Sequence, residues 1–117
     1  MIERLILVGA ALVVSPVAAS AQTGAALAPC AMCHSTKPGE NRLGPTLSHV
    51  VGRPKAAVAG FAYSPAMKAQ KGVWSEAALD AFLANPRAAV PGTRMIYSGM
   101  PDAAQRTKLI AEFKALK

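Results

Sequence analysis

Apolar residues fall at helical spacing in the second half of the chain, and each run has its own start signal. Ser64 followed by Pro65 pairs an N-cap side chain with a residue suited to a first turn, predicting a short helix to about Gln70. Ser75 with Glu76 opens a second helix, in which Ala78, Leu79, Phe82 and Leu83 form one apolar face before Asn85-Pro86 stops it. Residues 87–100, which contain Pro91-Gly92, return to loop. The last pattern is the clearest: Asp102 caps, Gln105 follows three residues on, and Leu109, Ile110, Phe113 and Leu116 mark the stripe.

The preceding stretch reads differently. Residues 22–29 allow at most a short helical arm, because so few residues are marginal as a helix and Pro29 cannot sit deep inside one. Residues 35–60 carry Pro38-Gly39, Gly44-Pro45, Gly52, Pro54 and Gly60 with no sustained period, and read as ordered loop. No β pattern competes and no repeat is visible. The expected fold class is all-α, with three or four helices joined by long loops, and that much loop needs something to wrap around.

The amino terminus has the pattern of an export signal. Arg4 gives a basic start, residues 5–14 are an apolar run of ten, and Ala19-Ser20-Ala21 is a small-residue cleavage site. An uncleaved anchor is the rival reading, but ten apolar residues before Ser15 and Pro16 fall short of the roughly 20 that span a bilayer. The division is residues 1–21 as a cleaved signal and 22–117 as one domain, with 96 residues to fold in the periplasm. Only 5% of residues are aromatic, so side chains alone make a thin core at this size. Two cysteines are too few for a disulfide framework. The net charge stays at +7 after removal of Glu3 and Arg4. Acidic protein surfaces and anionic membrane fit that charge, while export argues against nucleic acid.

Cys30-Ala31-Met32-Cys33-His34 carries the strongest chemistry. CxxCH is the spacing of c-type haem attachment: two thiols form thioethers on one edge of a porphyrin, and the adjacent imidazole turns beneath the iron. A thioredoxin-like dithiol would expect a βαβ setting. A zinc site would need a second ligand pair, and His49 is the only other histidine. A six-coordinate haem needs a second strong ligand, for which His49, Met67, Met95 and Met100 are the candidates. Met95 is favoured, because the turn-rich Pro91-Gly92-Thr93-Arg94-Met95 lies far from His34 and a loop can bring it across. Met67 reads as packing on its helix, Met100 as a loop or core residue, and His49 as a surface or haem-edge residue.

Over residues 30–117 the chain resembles the class I cytochromes c, particularly the mitochondrial and cytochrome c2-like branch. The resemblance rests on CxxCH, Gly44-Pro45-Thr46-Leu47, Gly52-Arg53, Gly60-Phe61-Ala62-Tyr63, Gly72-Val73-Trp74, Leu83-Ala84-Asn85-Pro86 and Pro91-Gly92-Thr93-Arg94-Met95, in the family's order. It implies a small cytochrome c fold around one covalently attached haem c, with Cys30 and Cys33 as attachment points and His34 and Met95 as iron ligands. It also implies that Pro45 offers its carbonyl to the His34 imidazole, that Arg53, Tyr63 and Trp74 serve the propionates, and that Phe82 packs on the haem. Three departures stand out. Ala26 occupies the place where the family's amino-terminal helix carries an aromatic, so weaker docking of the arm is expected. Met67 replaces an Asn, and Phe82 replaces the usual Tyr, which together predict a drier pocket.

The resulting expectation is a monomeric, non-enzymatic one-electron carrier. It would exchange electrons through a haem edge near Cys30 and Cys33, flanked by some of Lys37, Arg42, Lys55, Lys68, Lys71, Arg87 and Arg94. Its partners would be redox proteins with acidic docking surfaces, such as a membrane cytochrome complex, a terminal oxidase or a periplasmic dehydrogenase, with peripheral membrane contact allowed. A dedicated haem subunit of one dehydrogenase, a haem peroxidase and a ligand sensor are the alternatives. The peroxidase and the sensor require a ligand weaker than the intact PGTxM segment suggests.

Overall fold

The computed structural model describes residues 9–14 and 24–117. Most of the expected leader, including Arg4 and Ala19-Ser20-Ala21, lies outside those residues, as does Gln22. No helix among the described residues is long and apolar enough to cross a membrane.

Four helices form among the described residues: α1 (Pro65–Lys68), α2 (Glu76–Ala84), α3 (Pro86–Ala89) and α4 (Ala103–Ala115). Each begins where a short polar side chain accepts from the backbone N–H three residues on. Ser64 serves Met67, Ser75 serves Ala78, Asn85 serves Ala88 and Asp102 serves Gln105. Helix α1 stops at Lys68, short of Gln70, and has no buried residue to hold a longer run. Helix α3 falls inside the stretch read as loop. Asn85 stops α2 with extended backbone and then caps the next turn with its side chain, while Pro86 at the first helical position has its φ already set.

The core lies where α2 meets α4. Leu79, Phe82 and Leu83 from one and Leu109, Ile110 and Phe113 from the other are buried, together with Leu47, Val50, Trp74 and Val90. The loops are ordered by their own bonds. Thr46 Oγ1 donates to Lys37 O at 2.6 Å, and Asn41 holds both Thr46 N and Ala59 O. An isolated antiparallel bridge between Pro54 and Val73 aligns Gly52 N with Trp74 O and Trp74 N with Arg53 O, each at 2.8 Å. The arm at residues 24–33 is a run of turns instead of a regular helix. In it Cys30 N and Ala31 N bond to Leu27 O, and Cys33 N and His34 N to Cys30 O. A small all-α fold with long loops, as expected, therefore stands around whatever the loops enclose.

Candidate cofactor site

The loops enclose a cavity of about 640 Å³, well inside the range of small-molecule sites. Its lining draws on every part of the chain: Cys30, Cys33 and His34 from the arm, Pro45 and Arg53 from the long loop, Tyr63 and Met67 around α1, Trp74 and Phe82 at α2, and Met95 from the loop after α3. All nine residues read from the sequence as site residues thus reach one space. Met67 reaches it too, beyond its expected packing role. His49 and Met100 do not line it: His49 is exposed, with a left-handed φ of 53°, and Met100 packs at the core margin.

His34 is fixed on two sides. Its Nδ1 lies 2.7 Å from Pro45 O, and a carbonyl can only accept, so the proton sits on Nδ1 and Nε2 keeps its lone pair. Burial pushes the imidazole pKa below its ordinary value; the Pro45 bond opposes the shift and Arg53 adds to it. The neutral form is favoured. Gly44 supplies the other constraint, since a Cβ there would lie 2.6 Å from His34 Nδ1 and 2.8 Å from Nε2. No side chain fits between that backbone and the ring.

The cysteines differ. Cys33 is exposed and Cys30 half-buried, and neither is in a disulfide. Burial first, then Glu112 and Cys33, raises the Cys30 thiol pKa. Arg42 reaches across the motif, donating from Nη1 to Ala31 O at 2.9 Å.

Polar groups at the cavity are incompletely used. Arg53 Nη1 donates to Thr46 O and Ser48 O at 2.8 and 2.9 Å, while its buried Nε has no partner. An unpaired buried donor is costly unless something accepts from it. The Tyr63 hydroxyl accepts from Val58 N at 3.0 Å, so its own proton is available to donate. Trp74 packs against Phe82 with the rings tilted at 55° and centroids 5.1 Å apart, and Lys55 covers the Trp74 ring. An apolar cavity with two thiols, a neutral imidazole, a thioether and hydrogen-bond donors at its wall fits a haem bearing two carboxylates.

Around Met95 the exposure alternates: Thr93, Met95 and Tyr97 are half-buried, while Arg94, Ile96 and Ser98 are exposed. Thr93 Oγ1 accepts from Met95 N at 3.3 Å, and Met100 N closes the far end of the loop on Leu83 O at 2.8 Å. Sequence reasoning missed Gly44 as a steric stop, Tyr97 as a lining residue, and Glu112, Asp80 and Arg106 as anchors. Only the adjacency of Gly44 to Pro45 was a signal that could have found any of them.

Two thiols, a fixed imidazole and a thioether around one cavity in a small helical shell match a c-type cytochrome architecture. Comparison with known proteins agrees. Over 85 residues the chain is 44% identical to a cytochrome c of Euglena viridis, covering 73% of this chain and 83% of that protein. It is 40% identical over 86 residues to cytochrome c2 of Blastochloris viridis, covering 73% and 68%. It is 46% identical over 87 residues to the c-type cytochrome cy of Rhodobacter capsulatus, covering 74% of this chain but 43% of that relative's length. A solved structure, cytochrome cH from Methylobacterium extorquens, superimposes with a TM-score of 0.73 at 38% identity, covering 77% of this chain and 91% of that one. No family model matches. The chain belongs to the class I cytochrome c family.

Proposed function

We propose that the chain is a one-electron carrier of the bacterial periplasm, with one haem c held by Cys30 and Cys33 and ligated by His34 and Met95. The observation that carries this reading is the convergence of both thiols, a neutral His34 committed through Nδ1 to Pro45, and Met95 on one apolar cavity. When bound, the haem supplies an iron that alternates between Fe(II) and Fe(III). Pro45 orients the imidazole and raises its basicity. Met95 favours reduced iron relative to a second histidine. Arg53 and the Tyr63 hydroxyl would give the carboxylates donors, Trp74 would close the wall beside them, and Phe82 would exclude water.

The order of the motifs and the identity to a cytochrome c2 support a place in the mitochondrial and c2-like branch. The leader supports export of a domain beginning near Gln22, working as a monomer. Exposed Arg42 and Arg94 at the cavity lining place positive charge where an acidic redox partner would approach, and its association should weaken as salt rises. The family's usual role is electron carriage without substrate turnover, and Met95, held at both ends of its loop, suits a closed coordination site.

The test is a reduced-minus-oxidised spectrum of the exported protein. Wild type should keep its haem through acid-acetone extraction and show the far-red methionine-to-iron band, and Met95→Ala should abolish that band while haem stays attached. Haem lost on extraction would overturn covalent attachment. A band that persists in Met95→Ala would overturn the ligand assignment.

A further inference from the structure

The arm that carries the cysteines is tied to the far end of the chain by a carboxylate. Glu112, on α4, accepts from Ala26 N through Oε1 at 3.2 Å and from Leu27 N through Oε2 at 3.1 Å, across sequence separations of 86 and 85 residues. These two N–H groups stand at the start of the run of turns in residues 24–33. Of the two, Leu27 N has a local acceptor in Gly24 O at 3.1 Å. A carboxylate is a strong acceptor for backbone N–H groups at the start of such turns. One turn later, Leu27 O receives Cys30 N and Ala31 N, and Cys30 O receives Cys33 N and His34 N. A displacement at Leu27 is therefore passed through consecutive hydrogen bonds to both cysteines and the histidine.

Apolar contact holds this arm in part. Ala26, Leu27 and Cys30 are partly buried and pack against the core. Ala26 contributes a single methyl, where the family resemblance leads one to expect an aromatic. Glu112 is well placed to compensate. Its neighbour Phe113 is buried and lines the cavity, so the same turn of α4 grips the arm from one position and walls the cofactor space from the next.

We infer that Glu112 is the positioning residue for the Cys30-Ala31-Met32-Cys33-His34 segment, a cap supplied by α4 that seats the arm through hydrogen bonds alongside its side-chain packing. The docking contact stands by itself; only its consequence for cofactor geometry rests on the attachment proposed above.

Amide exchange and nitrogen-15 spectra of the haem-loaded protein test this in wild type, Glu112→Gln and Glu112→Ala. Glu112→Ala should exchange Ala26 and Leu27 roughly ten- to a hundredfold faster, with a smaller increase at Cys30 and Ala31. Leu79, Leu109 and Ile110 should keep their protection. Glu112→Gln keeps the side-chain shape and one acceptor oxygen but loses the charge; it should fall between the two and covers the case in which the alanine variant folds poorly. The Soret circular dichroism should change in the same order. Unchanged exchange at Ala26 and Leu27, or acceleration matched at Leu79 and Leu109, would overturn the inference. Release of haem from wild type by acid-acetone would instead overturn the attachment proposal and leave the exchange comparison standing.

Discussion

Arg106 and Asp80 join α4 to α2 at 2.8 Å, with the arginine side chain 12% exposed and the aspartate 46%. The same guanidinium donates from Nη1 to Met100 O at 2.9 Å and Pro101 O at 2.8 Å, where the loop bearing Met95 rejoins the body. Removing the arginine leaves two carbonyls and a carboxylate short of a donor. Arg106→Gln should cost about 2–3 kcal/mol, seen as a fall of roughly 10 °C or more in melting temperature for a domain of this size. Asp80→Asn breaks only a half-exposed pair and should cost about 1 kcal/mol or less. Added imidazole should bind ferric Arg106→Gln more tightly than wild type, because the far end of the Met95 loop is then held only by the Met100 N–Leu83 O bond. Equal imidazole affinity in the two proteins would show that the clamp does not reach the ligand.

Gly44→Ala tests the space beside His34. The glycine's φ is not positive, so the effect is steric and not conformational: the new methyl meets the imidazole ring itself. Either the loop or the ring must yield, at a cost of about 1–3 kcal/mol. Because the ring is also held by Pro45, the yield of haem-loaded protein should fall more steeply than that of Gly39→Ala, where a Cβ meets nothing within 4 Å. Haem-stained gels normalised to total protein measure both. Equal losses would attribute the effect to backbone conformation, since Gly39 has a φ of 74°.

Met67 and Met95 line the same cavity, and they should respond differently to the same replacement. Met67→Leu nearly conserves volume and should cost less than about 1.5 kcal/mol, with the methionine-to-iron band intact. Met95→Leu should abolish that band. Met67→Asn places an amide against an apolar wall and should cost about 1–3 kcal/mol unless water enters with it. Optical spectra and denaturant melts of the three variants separate these outcomes.

What the sequence made legible follows from the range of each interaction. Ser64, Ser75 and Asp102 announced their helices because a cap and its helix are neighbours in the chain. Asn85 was readable as a stop, and its second role as the cap that creates α3 needed the geometry of Ala88 N. The cavity's chemistry was legible because CxxCH packs two thiols and an imidazole into five residues, and the ordered motifs around it led to Pro45, Arg53, Tyr63, Trp74, Phe82 and Met95. Glu112 and Arg106 were not legible. Each acts on a segment distant in sequence, and on α4 both look like ordinary solvated charges until the arm and the Met95 loop are laid against them.

Tyr97 gives the alkaline limb of stability a definite sign. It lines the cavity half-buried, and burial first, then the nearby Cys30, raises its hydroxyl pKa above the ordinary 10.0. Once Cys30 is a thioether its charge no longer contributes, but the burial remains. Below pH 10 the hydroxyl is protonated in both folded and unfolded chains, and its contribution to stability is fully present. As pH rises beyond 10 the unfolded chain releases its proton first, so that contribution is lost progressively until the folded hydroxyl also ionises. Tyr97→Phe cannot release a proton and should lose less stability than wild type between pH 9 and about 11. The comparison uses guanidinium melts at fixed ionic strength, followed by far-UV circular dichroism so that loss of the Met95 band is not mistaken for unfolding. Parallel decline of the two proteins over that interval would mean that Tyr97 titrates as a solvent-exposed phenol and that the cavity edge at residue 97 is wet.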